Sequence, residues 1–516
     1  ILVASLWNAP LTFWSYYLPK IAAALSLTSL LFIIKDKRWS VLILCILDLW
    51  MLANLLYMRS YAMALDAYAV SMVGNLKGFW GSVWPLFRLA DLVLVGLTII
   101  WTFFAFFHKS QYQRKFKTFI VLAVIAYILN FSGQYTSLLV VGGHNWAINH
   151  VHMQCFKQRH RFDVYGLSAI GTLRSTSPVH TFWYTLYDSC VIHIVAESYS
   201  LDSEERDVAM SLLNENIQNT NKKLIIVLVE SFDDWVLTEQ YMPNWYQYVH
   251  SRPIFYANHI KSQVRGGMSA DGQMIINTGL LPITEGAACF RFPMNTYPGI
   301  MKHINGNTIT ILPHEKDVWN QATMATAYGY EEIVEELSGN DSILFEKVIE
   351  CAHNGYSGIQ MLTLSTHTPY DCMSKYSTLV LPDTINNLVA AYIRSFNVFD
   401  ERSKHFLQAL ESDTILSQYT LVVTGDHKAP IGTWYQDATC PLIIQSPYIF
   451  ENYNYADTCY QMDVYPTLQG LLDVNFEWNG LGIDLMSKDS VRKFEEEYAV
   501  GLSDKLIKSN FFKREE

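Results

Sequence analysis

Two rhythms divide the chain. Before about residue 140, long apolar runs follow one another with short polar breaks. After residue 222, short β-branched runs alternate with segments of helical periodicity. The first rhythm holds four apolar stretches, at 18–34, 40–58, 86–107 and 119–140. Each is near the roughly 20 residues an α-helix needs to cross a bilayer. A single such stretch would suit a buried core helix; four in succession predict a helical transmembrane bundle over 1–140. Basic residues orient it. Lys35, Lys37 and Arg38 follow the first stretch, and Lys109, Arg114, Lys115 and Lys117 follow the third. These two loops are expected on the cytoplasmic side. Everything after about residue 141 then lies outside the cytoplasm. Residues 1–17 are apolar and aromatic, which suits an interfacial segment or the end of an earlier, fifth span.

Residues 141–221 mix His, Ser and aromatic side chains and read as a juxtamembrane connector. The acidic run Asp202–Asp207 is expected to open a helix there. From 222 to 490 the alternation predicts an α/β domain with a mainly parallel central sheet, and 491–516 reads as a C-terminal tail. In such sheets ligands gather at the carboxyl ends of the strands. Residues 224–229 lead directly into Glu230, and 308–312 into Pro313 and His314. Residues 361–365 lead into Thr366 and His367, and 420–424 into Gly425, Asp426 and His427. A polar residue at one strand end is ordinary; four carboxylate or imidazole exits suggest a site.

Composition sharpens this picture. Half of the 516 residues are hydrophobic and only 16% are charged, too apolar for an ordinary soluble protein. The net charge of −11 argues against a nucleic-acid partner, which calls for a basic footprint. The eight cysteines form no CxxC pair and no zinc-ribbon spacing.

Glu230, Asp426 and His427 form a mixed oxygen and nitrogen set for one divalent cation. Such a set fits Mn²⁺ or Zn²⁺ better than Ca²⁺, with Mn²⁺ preferred and Mg²⁺ also open. The segment Gly266–Gln273 leads into an apolar run readable as a helix, with Ser269 at its N-terminus. A helix N-terminus suits a phosphate, and a serine hydroxyl beside a metal becomes nucleophilic. Serines before helices are also commonly just N-caps, so both readings of Ser269 stand.

The ordered set VESF (229–232), GGMSADGQ (266–273), PHEKDVWN (313–320), LSTHTPY (364–370) and TGDHK (424–428) resembles the lipoteichoic acid synthase group of the alkaline phosphatase/sulfatase superfamily. QMDVYPTLQGLL (461–472) resembles the helix near the end of that group's catalytic domain. The resemblance spans about 222–485, and the group's five membrane spans accord with the apolar half. It implies Glu230, Ser269, Asp426 and His427 as metal ligands, with Ser269 also the nucleophile. It places His314, Trp319 and His367 where the substrate's phosphate and glycerol bind. This chain departs from the group in three ways: the nucleophile is usually Thr, Gln321 stands where Arg is common, and, less tellingly, Lys428 follows the Asp-His pair.

The resemblance implies a phosphoglycerol transferase in a bacterial cell membrane, with its catalytic domain outside. Its donor would be an anionic phospholipid such as phosphatidylglycerol. Its acceptor would be an extracytoplasmic glycan, a polyglycerolphosphate chain or a lipid. The alternative is a phosphoethanolamine transferase acting on lipid A or a glycan. A sulfatase fits less well, because Ser269-Ala-Asp-Gly-Gln lacks the Pro and Arg of the sulfatase maturation motif. A phosphodiesterase passing the group to water is a further alternative.

Overall fold

The computed structural model describes residues 37–61, 86–107, 115–129, 201–283, 287–291, 296–368, 370–431 and 437–513, with isolated positions between 18 and 34 and at 132. Residues 19, 20, 23, 27, 30, 31 and 33 of the expected first span lie outside the described residues. So do residues 1–17, residues 130, 131 and 133–140 of the fourth span, and residues 141–200 of the connector. The chain divides into two compact units, with the change near residue 195.

In the first unit, α1 (Lys37–Tyr61) contains a largely apolar segment, Trp39–Tyr57, in which Asp48 is the charged residue. Among the described residues it is the one helix long and apolar enough to cross a membrane. The helices α2 (Leu92–Phe107) and α3 (Phe116–Leu129) are shorter and also apolar. Their apolar side chains point outward. Leu42, Ile46 and Leu49 on α1, Ile99 and Phe103 on α2, and Ile120 and Val124 on α3 are all exposed. Exposed Leu, Ile and Phe along a helix suit lipid rather than water.

The second unit opens with α4 (Ser203–Ser211), where the acidic run was expected to start a helix. Asp202 accepts from the Glu205 amide at 2.9 Å, and Glu205 Oε2 accepts from the Asp202 amide at 3.1 Å. That reciprocal pair is a capping box. The strands β1 (Lys223–Val229), β2 (Phe255–Lys261), β3 (Thr308–Leu312), β4 (Glu332–Glu335), β5 (Gly358–Leu362), β6 (Tyr419–Gly425), β7 (Cys440–Gln445), β8 (Tyr453–Tyr455) and β9 (Cys459–Tyr460) form one sheet. Its order is β4-β3-β5-β1-β6-β7-β2-β8, with β9 also on β2. The five strands from β4 to β6 pair in parallel, while β7 runs antiparallel to both its neighbours. The mainly parallel sheet expected from the apolar runs is therefore present. Its strands read as apolar runs because both faces are covered.

One boundary differs from the sequence expectation. β5 ends at Leu362, three residues before the end of the run at 361–365. Its central Gln360 is fully buried and polar, which masks the strand in a hydropathy reading. Its side chain is satisfied internally: Asn277 Nδ2 and Tyr330 OH donate to Oε1, at 2.8 and 3.0 Å.

The covering helices are α5 (Pro243–His250), α6 (Ser269–Thr278), α7 (Gln321–Tyr328), α8 (Asp341–His353), α9 (Asn387–Ser412), α10 (Val464–Leu472) and α11 (Glu496–Lys508). α9 begins where the Asn386 side chain accepts from the Leu388 amide. It buries Tyr392, Phe396, Phe399, Phe406 and Leu410, spaced three to seven apart along one face. Phe232, three residues past β1, stacks on Phe396 at 5.1 Å. α11 buries Ala499, Leu502 and Leu506 within the region read as a tail.

Candidate active site

The site begins with register. β1 and β6 are parallel neighbours with Val229 opposite Gly425. The next residues, Glu230 and Asp426, therefore leave the sheet side by side. Ser231 then takes a left-handed conformation (φ 56°), which turns the chain back on itself. Its amide donates to Asp426 Oδ1 at 2.9 Å and its hydroxyl to Glu230 Oε1 at 2.7 Å. The His427 amide also donates to Asp426 Oδ1, at 2.7 Å. His427 Nδ1 meets the Lys428 carbonyl at 2.9 Å, which leaves Nε2 facing inward. That nitrogen lies 3.4 Å from Glu230 Oε1 and 3.6 Å from Asp426 Oδ2. Glu230, Asp426 and His427 are all buried and offer ligand atoms within 4.8 Å of one another.

Ser269 reaches this group from α6. Met268, before it, occupies the N-cap position with φ 43° and ψ −117°, and its side chain caps nothing. Ser269 is thus the first helical residue rather than the cap. Its hydroxyl donates to Glu230 Oε2 at 3.2 Å and lies 3.4 Å from His427 Nε2. Two features hold the turn. Asp271 Oδ2 accepts from the Arg265 and Gly267 amides, both at 2.9 Å. Gly272 lets the helix approach the Asp426 backbone, where a Cβ would lie 2.1 Å from the carbonyl oxygen.

Burial works against every charge in this cluster. In Glu230 it is outweighed by the His427 imidazolium, with His367 behind it, and the carboxyl is held at about 2. Asp426 is pushed up to about 7 by burial and by the charge on Glu230. His427 is held up at about 10 against its burial by Asp426 and Glu230. Two buried carboxylates against one imidazolium leave an uncompensated negative charge once both ionise. A cation there would relieve it, and an inward imidazole nitrogen with two carboxylates is a donor set suited to Mn²⁺ or Zn²⁺.

The substrate-side candidates sit around the same strand ends. His314 follows β3 by two residues, with Nδ1 on the Glu315 carbonyl at 3.0 Å. Burial holds its ring below the usual histidine range, and the charges of Glu230 and His367 reach it. His367 turns Nδ1 to the Thr368 carbonyl at 2.6 Å. Trp319 packs beside Phe290, with ring centres 6.1 Å apart, in a left-handed turn shared with Asn320. Gln321, the first residue of α7, is buried, and its Nε2 lacks a hydrogen-bond partner among the described residues.

Sequence reasoning did not single out Ser231, Asp271, Thr363 or Thr366. Ser231, Asp271 and Thr366 stand inside the quoted motifs, but nothing in their spacing marks them as supports.

The family model "Lipoteichoic acid synthase N-terminal domain" matches residues 6–138, and the model "Sulfatase" matches 285–474. The chain is 22% identical to a lipoteichoic acid synthase of Staphylococcus saprophyticus, over 86% of this chain and 74% of that protein. It is 24% identical to lipoteichoic acid synthase 1 of Bacillus subtilis, over 52% of this chain and 48% of that one. The chain thus spans three quarters of the first relative and about half of the second. Among solved structures, a lipoteichoic acid synthase from Listeria monocytogenes matches at 15% identity and a TM-score of 0.49, covering 60% of this chain and 97% of that one. A Streptococcus pyogenes phosphoglycerol transferase in complex with sn-glycerol-1-phosphate matches at 17% and 0.44, covering 62% and 91%.

Proposed function

We propose that this chain, which matches the family models "Lipoteichoic acid synthase N-terminal domain" and "Sulfatase" and is similar to lipoteichoic acid synthases, is a membrane-anchored, metal-dependent phosphotransferase of the lipoteichoic acid synthase-like group. It moves a phosphoglycerol-type group from an anionic phospholipid to an extracytoplasmic acceptor. Four spans within 1–140 anchor it in a bacterial cell membrane, with the domain from 222 to 490 on the outer side. The observation that carries the reading is the Ser269 hydroxyl, 3.2 Å from Glu230 Oε2 and 3.4 Å from His427 Nε2 at the start of a helix.

Glu230, Asp426, His427 and Ser269 would hold one divalent cation, Mn²⁺ by preference. When bound, it supplies Lewis acidity and neutralises charge on the phosphate oxygens. The rest of the chemistry falls to the chain's own groups. Ser269 Oγ attacks phosphorus, forming the Oγ–P bond as the P–O bond to diacylglycerol breaks. The Ser269 proton passes to Glu230 Oε2, to which the hydroxyl already donates and which returns it when Ser269 is displaced, and the diacylglycerol oxygen gains one from the imidazole of His314 or His367. In the second step an acceptor hydroxyl gives its proton to the same imidazole and displaces Ser269. The amides at the start of α6 face the phosphate, and His314, Trp319 and His367 bind the transferred group. The membrane anchor keeps the site near a lipid donor.

One observation favours a second reading. Gln321 is neutral where the group commonly has Arg, which suits a phosphoethanolamine head group better than a cation would. Intact-mass measurement after incubation with phosphatidylglycerol or phosphatidylethanolamine separates the two. A phosphoglycerol adduct on Ser269 supports the first reading and a phosphoethanolamine adduct the second. No adduct and no turnover with either lipid would remove both.

A further inference from the structure

The Glu230 peptide is gripped from both sides by one loop. On one side its amide donates to Thr363 Oγ1 at 3.0 Å. On the other its carbonyl accepts from Thr366 Oγ1 at 2.6 Å. Both threonines are buried, Thr366 completely. Neither strand ladder can serve here, because β1 ends at Val229 and β5 at Leu362. The last ladder-like contact is the Thr363 amide on the Leu228 carbonyl at 3.1 Å. Beyond it the two threonine hydroxyls extend the pairing by one residue, the residue that carries the carboxylate.

The loop has its own anchor. Asp341, fully buried at the start of α8, accepts from the Ser365 hydroxyl. Ser365 lies between the two gripping threonines, so α8 fixes the pair through it. The same loop carries His367, whose amide closes a turn on the Leu364 carbonyl at 3.0 Å. One anchored loop thus sets the backbone of Glu230 and presents a substrate-side imidazole.

We infer that Thr363 and Thr366 are positioning residues for the metal centre. They hold the Glu230 main chain so that its carboxylate meets Asp426 and His427 at coordinating distance, and Asp341 anchors them through Ser365. The inference rests on the reading of Glu230 as a metal ligand. The physical reason is that an unpaired peptide past a strand end is free to rotate, while a ligand carboxylate tolerates only small displacements. Outer supports of this kind commonly carry about ten- to a hundredfold in metal affinity.

The test is calorimetric titration of Mn²⁺ into the detergent-solubilised full chain. Thr366→Val keeps the shape of the side chain and removes the hydroxyl. It is expected to weaken Mn²⁺ binding by about tenfold or more, with near-ultraviolet circular dichroism unchanged. Thr366→Ser restores the hydroxyl and is expected to restore affinity, which a purely packing role for the threonine would not predict. Thr363→Val, on the other side of the peptide, is the second arm and decides the matter should Thr366→Val fail to fold. Wild-type affinity in either folded valine variant, or no recovery in Thr366→Ser, overturns the inference. A wild-type chain that binds neither Mn²⁺ nor Zn²⁺ removes the metal reading and this inference with it. One that binds Mn²⁺ but forms no adduct from either lipid removes only the donor assignment, and the titration series still decides the role of the threonines.

Discussion

Ser269 donates to Glu230 across 3.2 Å while Met268 takes the N-cap position, so its hydroxyl is spent on the site and not on the helix. Ser269→Ala therefore leaves the melting temperature near wild type. It is expected to abolish the lipid-derived adduct and to lower turnover on the order of a thousandfold or more, as loss of a nucleophile does. Ser269→Thr keeps the hydroxyl and is expected to retain an adduct in intact-mass measurement. A second residue-scale expectation concerns Asp400. Burial raises its carboxyl from 3.8 to about 6, while the amides of Trp245 and Asn244 pull the other way. A folded-state value above the unfolded one means stabilisation that is complete below pH 3.8 and is lost as pH rises through about 6. Urea unfolding of Asp400→Asn should show a flatter stability profile than wild type between those two values.

Among the elements, α6 carries the heaviest constraint, because it must bring Ser269 to the exits of two strands. Its approach depends on Gly272, whose missing Cβ leaves room for the Asp426 carbonyl. Gly272→Ala is expected to push the helix away. The cost in stability is about 1–3 kcal/mol, typical of overpacking, with a parallel loss of Mn²⁺ affinity by titration. The far end of α6 is tied down by Asn277, which donates to Gln360 on β5 at 2.8 Å and accepts from Tyr330 at 3.0 Å. Asn277→Leu strands those buried groups. It should lower stability by about 1–3 kcal/mol, read as a lower melting temperature of the full chain.

At the scale of the whole catalytic unit, three buried ionisable groups from two strands are stabilised together if a cation binds them only in the folded state. Mn²⁺ at a hundred times its dissociation constant should then add about 2.7 kcal/mol to folding stability. The melting temperature should fall on adding a chelator and recover with excess Mn²⁺. In Glu230→Ala that response should shrink or vanish. A chelator response identical in wild type and Glu230→Ala would place the cation elsewhere.

The sequence by itself determined the division between an apolar helical half and an α/β half, because both depend on local periodicity and run length. It also marked Glu230, His314, His367, Asp426 and His427, because parallel strands deliver their chemistry in the residues that follow an apolar run. Only tertiary structure decided which of these share a site. Val229 opposite Gly425 is a pairing between residues far apart in sequence, and it alone sets Glu230 beside Asp426. It also removed the helix-cap reading of Ser269, because Met268 holds the N-cap position, which shows only once the helix is packed. The supports were least legible of all. Thr363, Thr366, Asp271 and Gly272 act through one or two hydrogen bonds or a missing methyl, and their worth depends on where the folded backbone passes. Gln360 shows the same limit in reverse, a polar residue that hides a strand because its partners, Asn277 and Tyr330, arrive from other elements.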